Sequence, residues 1–107
     1  TDGFDMRVLT GARAFLRRQQ RLPFIGFEFD PKAWQEVGHS SFEQLEAFIR
    51  EFHYFPYVLI RNNWAPIGIH MLADAWDYWS QGSHGWYDVN LAPRNEHYGI
   101  LPPHPDA

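Results

Sequence analysis

The feature that most constrains this fold is a pair of short, nearly continuous apolar runs, residues 24–29 (FIGFEF) and 54–61 (YFPYVLIR), held apart by a helix-like segment. Runs of this length suit strands better than helices, and successive side chains in a strand point to opposite faces of the sheet. Both faces are therefore expected to be covered, as in a mainly parallel sheet whose connections are helices. One residue breaks the first run. Glu28 puts a carboxylate where burial is costly unless the group is paired or used.

The flanking segments supply the helices. Across residues 4–20, Val8, Leu9, Ala12, Phe15 and Leu16 share one face, while Arg7, Arg13, Arg17 and Gln20 lie largely elsewhere. Asp2 and Asp5 stand at the start, where the helix dipole favours negative charge. Gly11 costs about 1 kcal/mol relative to alanine in a helix and is expected to mark a close approach to a strand. Pro23 closes the connection, and Asp30-Pro31 stops the first strand. A short turn is expected at residues 32–37. Ser40-Ser41-Phe42-Glu43 then fits a capping box, and the helix behind it turns Phe42, Leu45, Phe48, Ile49 and Phe52 inward.

Pro56 sits near the start of the second strand, where strands tolerate it. Asn62-Asn63 opens a loop containing Pro66 and Gly68, after which Ile69, Leu72, Ala73, Trp76 and Trp79 or Tyr78 predict a third helix. Residues 81–85 form a glycine-punctuated turn. In residues 86–92, Tyr87, Val89 and Leu91 alternate with Asp88 and Asn90 as a third strand. The ending LPPHPDA reads as a loose proline-rich tail. This order predicts an α/β layer structure with about three strands and flanking helices. An open edge beside the first strand would invite self-association of the chain on its own.

Bulk properties narrow the function. A chain of 107 residues is one small domain or a piece of a larger one. Its 45% hydrophobic and 18% aromatic content is too apolar for disorder. A net charge of −4 gives no electrostatic reason to expect nucleic acid. Arg17, Arg18 and Arg21, the densest basic group, read as a solvated helix end. Without cysteine there is no disulfide and no thiolate metal site, and a reducing compartment is permitted, which favours a cytoplasmic location. No apolar run approaches the ~18 residues of a membrane span. His39, His53, His70, His84, His97 and His104 lack the spacing of a zinc site, so no metal is expected. Ser40 and Ser41 have no glycine elbow and read as caps rather than nucleophiles.

Taken together, TDGFDMRVLTGARAFL and PFIGFEFDP resemble the second half of FkbM-type methyltransferases, S-adenosylmethionine-dependent enzymes mostly taken to be O-methyltransferases. The places that carry the resemblance are Asp2-Gly3, Asp5, Val8-Leu9, Gly11-Ala12, Pro23 and Glu28. Further on, SFEQLEAFIREFHYFPYVLI looks like that family's helix and following strand, with His53-Tyr54 replacing a Gly-Tyr turn. GWYDVNLAPRN looks like its closing strand and Pro turn. Asp2 departs from the usual Glu. No Gly-x-Gly occurs, so the cofactor's glycine loop is missing.

The resemblance implies that residues 1–95 are the carboxyl-side half of a Rossmann-like methyltransferase fold, with the last strand antiparallel and residues 96–107 as a tail. S-adenosylmethionine would be bound mainly by a preceding amino-terminal half, and this chain alone would be inactive. Ligands of open α/β sheets sit outside the carboxyl ends of the strands. Asp2 and Glu28 would then face one crevice as catalytic carboxylates that orient or deprotonate the hydroxyl of a sugar or small metabolite. Helix capping for Asp2, and a structural ion pair for Glu28, are the alternatives. His84, in a turn near the sheet's end, Trp86 and Trp64 would line the acceptor pocket, with Trp76 and Trp79 as further wall candidates. The competing expectation for the tryptophans is that they cover the sheet. The rival function is a non-catalytic aromatic-rich α/β module binding carbohydrate or a protein partner.

Overall fold

A computed structural model of the chain describes residues 6–38, 41–82, 84–93 and 101–106. The elements run α1 (Met6–Leu16), β1 (Ile25–Phe29), α2 (Pro31–Gly38), α3 (Phe42–Glu51), β2 (Tyr54–Ile60), β3 (Asn63–Pro66), α4 (Ile69–Gln81) and β4 (Tyr87–Pro93). They form an α/β domain around one four-stranded sheet of order β1-β4-β2-β3. No helix among the described residues is long and apolar enough to cross a membrane.

The sheet differs from the expected one in two ways. All three strand pairings are antiparallel, so it is not mainly parallel. β1 and β2 do point the same way, but β4 lies between them and runs against both. There are also four strands rather than about three. Ile60 faces Asn63, and the two residues between them, Arg61 and Asn62, have φ of 49° and 66°. Positive φ at both centres is the signature of a type I′ hairpin turn, whose twist matches that of the flanking strands. The segment expected as a loop therefore folds back as β3.

Alternation along the strands sorts the side chains. Phe27, Phe29, Val58, Val89 and Leu91 form one buried face under the helices. Trp34 of α2 meets Phe27 and Phe29, each at 5.7 Å between ring centroids, and Trp76 of α4 meets Phe29 at 6.0 Å. Trp34 and Trp76 are thus core, and Trp76 is not available as a pocket wall. α3 places Phe48 against Tyr54 of β2. α1 packs on α3, where Arg13 and Arg17 both pair with Glu51 at 3.2 and 3.1 Å.

Several local expectations shift. The turn at residues 32–37 is a helix, capped by Asp30, whose Oδ1 accepts the Ala33 N–H at 3.1 Å. Ser41 caps α3, and the side chain that reaches back is Gln44 rather than Glu43: the Ser41 N–H donates to Gln44 Oε1 at 2.8 Å, while Ser40 lies outside the described residues. Gly11 approaches no strand among the described residues: a Cβ there would have nothing within 4 Å. Gly85 and Gly68 are the constrained glycines among those described, since a Cβ would run into the Trp79 indole at the first and stand 2.7 Å from the His70 ring at the second.

The described end of the chain is not loose. His104 is buried against Phe55 and Tyr57, with ring centroids 5.0 and 5.4 Å away. Its Nε2 is 3.2 Å from both the Pro56 and Ile67 carbonyl oxygens, and the Tyr57 hydroxyl donates to the Pro102 carbonyl at 2.7 Å. Composition suggests a tail, but polar groups on one imidazole find buried partners and anchor it.

Candidate functional site

The antiparallel register builds the site. Phe29, the last residue of β1, faces Tyr87, the first of β4. Chain leaving β1 and chain entering β4 are therefore forced together at one end of the sheet. Asp30 leaves, and residues 84–86 arrive, carrying His84 and Trp86.

His84 Nε2 lies 3.0 and 2.9 Å from the two Asp30 carboxylate oxygens. The Asp30 side chain is only 13% exposed, whereas that of His84 is 52% exposed. Asp30 is held on two sides, by the imidazole and by the Ala33 N–H at the start of α2. A carboxylate accepts hydrogen bonds, so neutral His84 donates from Nε2 and presents the Nδ1 lone pair. This is a carboxylate–imidazole pair with an oriented ring, and its second nitrogen makes no hydrogen bond among the described residues. Beside it stands Trp86, with its ring 6.0 Å from that of His84 and 54% of the residue exposed.

The other expected residues divide. Glu28 is half-buried on the sheet face opposite the helices, directly across from Asp88. It makes no hydrogen bond or ion pair among the described residues, so the structural ion-pair alternative finds no partner there. Strand alternation explains how the apolar run tolerates it, because Phe27 and Phe29 point to the core and Glu28 points away. Asp2 lies outside the described residues. Trp64 does not join the pair. It sits on β3, at the opposite edge from β1, about 14 Å away by three strand spacings. The hairpin turn at Arg61-Asn62 carries it there.

Asp30 is missed by sequence reasoning because Asp-Pro is read as a strand stop. The signal in the sequence is its place just past the carboxyl end of a strand, next to Glu28. Its partner is 54 residues away in the chain.

Two hollows lie elsewhere on the described surface. One, about 390 Å³, is lined by Arg50, His53, Phe55, Ile69 and Asp106 at the amino end of β2, the opposite end of the sheet. The other, about 370 Å³, runs along α4 to the start of β4 between Met71, Asp74, Tyr78, Trp79 and Tyr87. The latter borders the candidate site through Tyr87.

The chain matches no protein-family model, no curated protein and no solved structure.

Proposed function

We propose that this chain is the carboxyl-side half of an S-adenosylmethionine-dependent O-methyltransferase whose acceptor is a hydroxyl of a sugar or small metabolite. The observation that carries the reading is the sheet's direction pattern. The last strand runs antiparallel between two strands that point the same way, which suits the closing edge of a Rossmann-like methyltransferase sheet. A second observation supports it. His53, where FkbM-type enzymes have glycine, has φ of 55°, a conformation that glycine adopts without strain.

S-adenosylmethionine would supply a methyl group carried on sulfonium. The described residues do not fit that cofactor. No Gly-x-Gly is present, and the start of α2 is already capped by the Asp30 carboxylate, which would repel an anionic ligand group. The donor side of the cleft therefore falls, on this reading, to residues outside this chain. What this chain offers is the acceptor side: Glu28, His84 and Trp86 around the carboxyl end of β1, with Asp2 assigned by resemblance alone.

Titration calorimetry tests the reading. The 107-residue chain should give no heat with S-adenosylmethionine, and a longer protein containing it should bind. Binding by the chain alone, or none by the longer protein, overturns the assignment. In the longer protein, Glu28→Gln and Asp2→Asn should lower turnover more than donor affinity.

The groove of Tyr78, Trp79, Tyr87 and Asp74 favours a second reading, a non-catalytic carbohydrate-binding module. Aromatic faces stack on sugar rings while a carboxylate accepts their hydroxyls. Glycoside binding in that groove, without any methyl transfer, would select it.

A further inference from the structure

The Asp30–His84 pair is more specific than a surface contact requires. A half-exposed histidine bonded to an almost buried carboxylate has its ring orientation set from the inside of the protein, and its Nδ1 makes no hydrogen bond among the described residues. Asp30 cannot swing away, because it also caps α2. Trp86 places a half-exposed indole face within 6.0 Å of the same ring. An apolar platform beside a preorganised hydrogen-bond acceptor is what a sugar needs. Its ring carbons can lie on the indole while one hydroxyl donates to the imidazole.

We propose that His84, oriented by Asp30, is the residue that accepts the acceptor's hydroxyl proton, and that Trp86 is the platform for a pyranose ring. This deepens the methyltransferase reading and rests on it for the electrophile; the binding half stands on the geometry. In the proton step the O–H bond breaks and an Nδ1–H bond forms. The electron pair stays on oxygen as the nucleophile, and the new imidazolium charge is held by Asp30. The proton-accepting role first expected of Asp2 or Glu28 thereby passes to a histidine, leaving the carboxylates to orient the substrate. A positioned general base contributes about 10²–10⁴-fold to such a step.

The test needs no donor. In the ¹⁵N-labelled 107-residue chain, long-range ¹H–¹⁵N spectra should show His84 as the Nε2–H tautomer with unprotonated Nδ1. Titration with methyl glycopyranosides should move His84 Nδ1 and the Trp86 indole together, while glycerol moves neither. Trp86→Ala should weaken glycoside binding about tenfold, or ~1.4 kcal/mol. Asp30→Asn is the second variant, because asparagine caps a helix as well as aspartate does and the fold is kept. It should abolish the tautomer preference without lowering the melting temperature. An Nδ1–H tautomer, or glycosides that leave both residues unmoved, overturns the proposal. In the longer protein, exogenous imidazole should restore methyl transfer to His84→Gly; failure to do so removes the proton-accepting role. If glycosides bind as described but the longer protein takes no S-adenosylmethionine, the methyltransferase reading fails and the sugar site stands.

Discussion

β1 and β2 are both short apolar runs in the sequence, yet they meet different surroundings on the sheet face opposite the helices. Over β2, that face is covered at Tyr57, and Phe55 is half-buried. Phe55 and Tyr57 lie under His104, and the Tyr57 hydroxyl ties the covering segment down. Over β1, the same face carries Gly26 and Glu28, with Asp88 across from Glu28 and no covering segment bonded to either acid among the described residues. One half of the sheet is built for stability. The other keeps like charges side by side, an arrangement that costs stability.

The largest expected effect tests what the halves share. Phe29→Ala opens a cavity between Trp34 and Trp76 and should cost about 3–5 kcal/mol in urea denaturation. A much smaller loss would mean that the core under β1 is loosely packed.

His104→Ala addresses the covered half. It removes the imidazole from the Pro56 and Ile67 carbonyls and should cost about 1–3 kcal/mol. His104→Phe should recover the ring packing and not the hydrogen bonds, so its stability should fall between the two. Equal stability of all three proteins would show that the end segment does not cover β2.

Tyr57 gives that half a signature at high pH. Burial raises its hydroxyl above the ordinary value of 10.0. Below that pH both folded and unfolded chains keep the proton, and the group's contribution is constant. Above it the unfolded chain loses the proton first, so the unfolded state binds fewer protons and stability falls as pH rises. Tyr57→Phe should flatten that alkaline decline, at a cost of about 1 kcal/mol at neutral pH from the lost bond to Pro102.

The smallest effect belongs to the open half and has the opposite sign. Glu28→Gln should stabilise by roughly 0.2–1 kcal/mol by relieving its apposition with Asp88, measured as a raised denaturation midpoint. Destabilisation instead would mean that Glu28 has a structural partner and that the two halves are less different than they look.

Helices were legible where one face repeats: Leu45, Phe48 and Ile49 in α3, and Leu72 and Trp76 in α4, are buried as their spacing implies. The end of β1 was legible from Asp30-Pro31, and the last strand from its alternation. β3 was not, because its turn residues, Arg61 and Asn62, are not the glycine pair that usually announces a hairpin. The burial of His104 was not legible either. A proline-rich segment carries no periodicity, and its anchoring depends on carbonyls contributed by Pro56 and Ile67.

The candidate site divides the same way. His84 beside Trp86 stood out as a glycine-turn histidine next to an aromatic, whereas its partner Asp30 read as punctuation. Periodicity is local, so the sequence by itself determined the helices with a repeated apolar face, α3 and α4, and the apolar runs that became β1, β2 and β4, but neither α2 nor β3. Strand order and register couple residues far apart in the chain, and the tertiary structure alone decided them. Inserting β4 against β1 is what set Asp30 and His84 face to face across 54 residues. No window along the chain contains that pairing, because the hydrogen bonds that fix it exist only between strands already brought together.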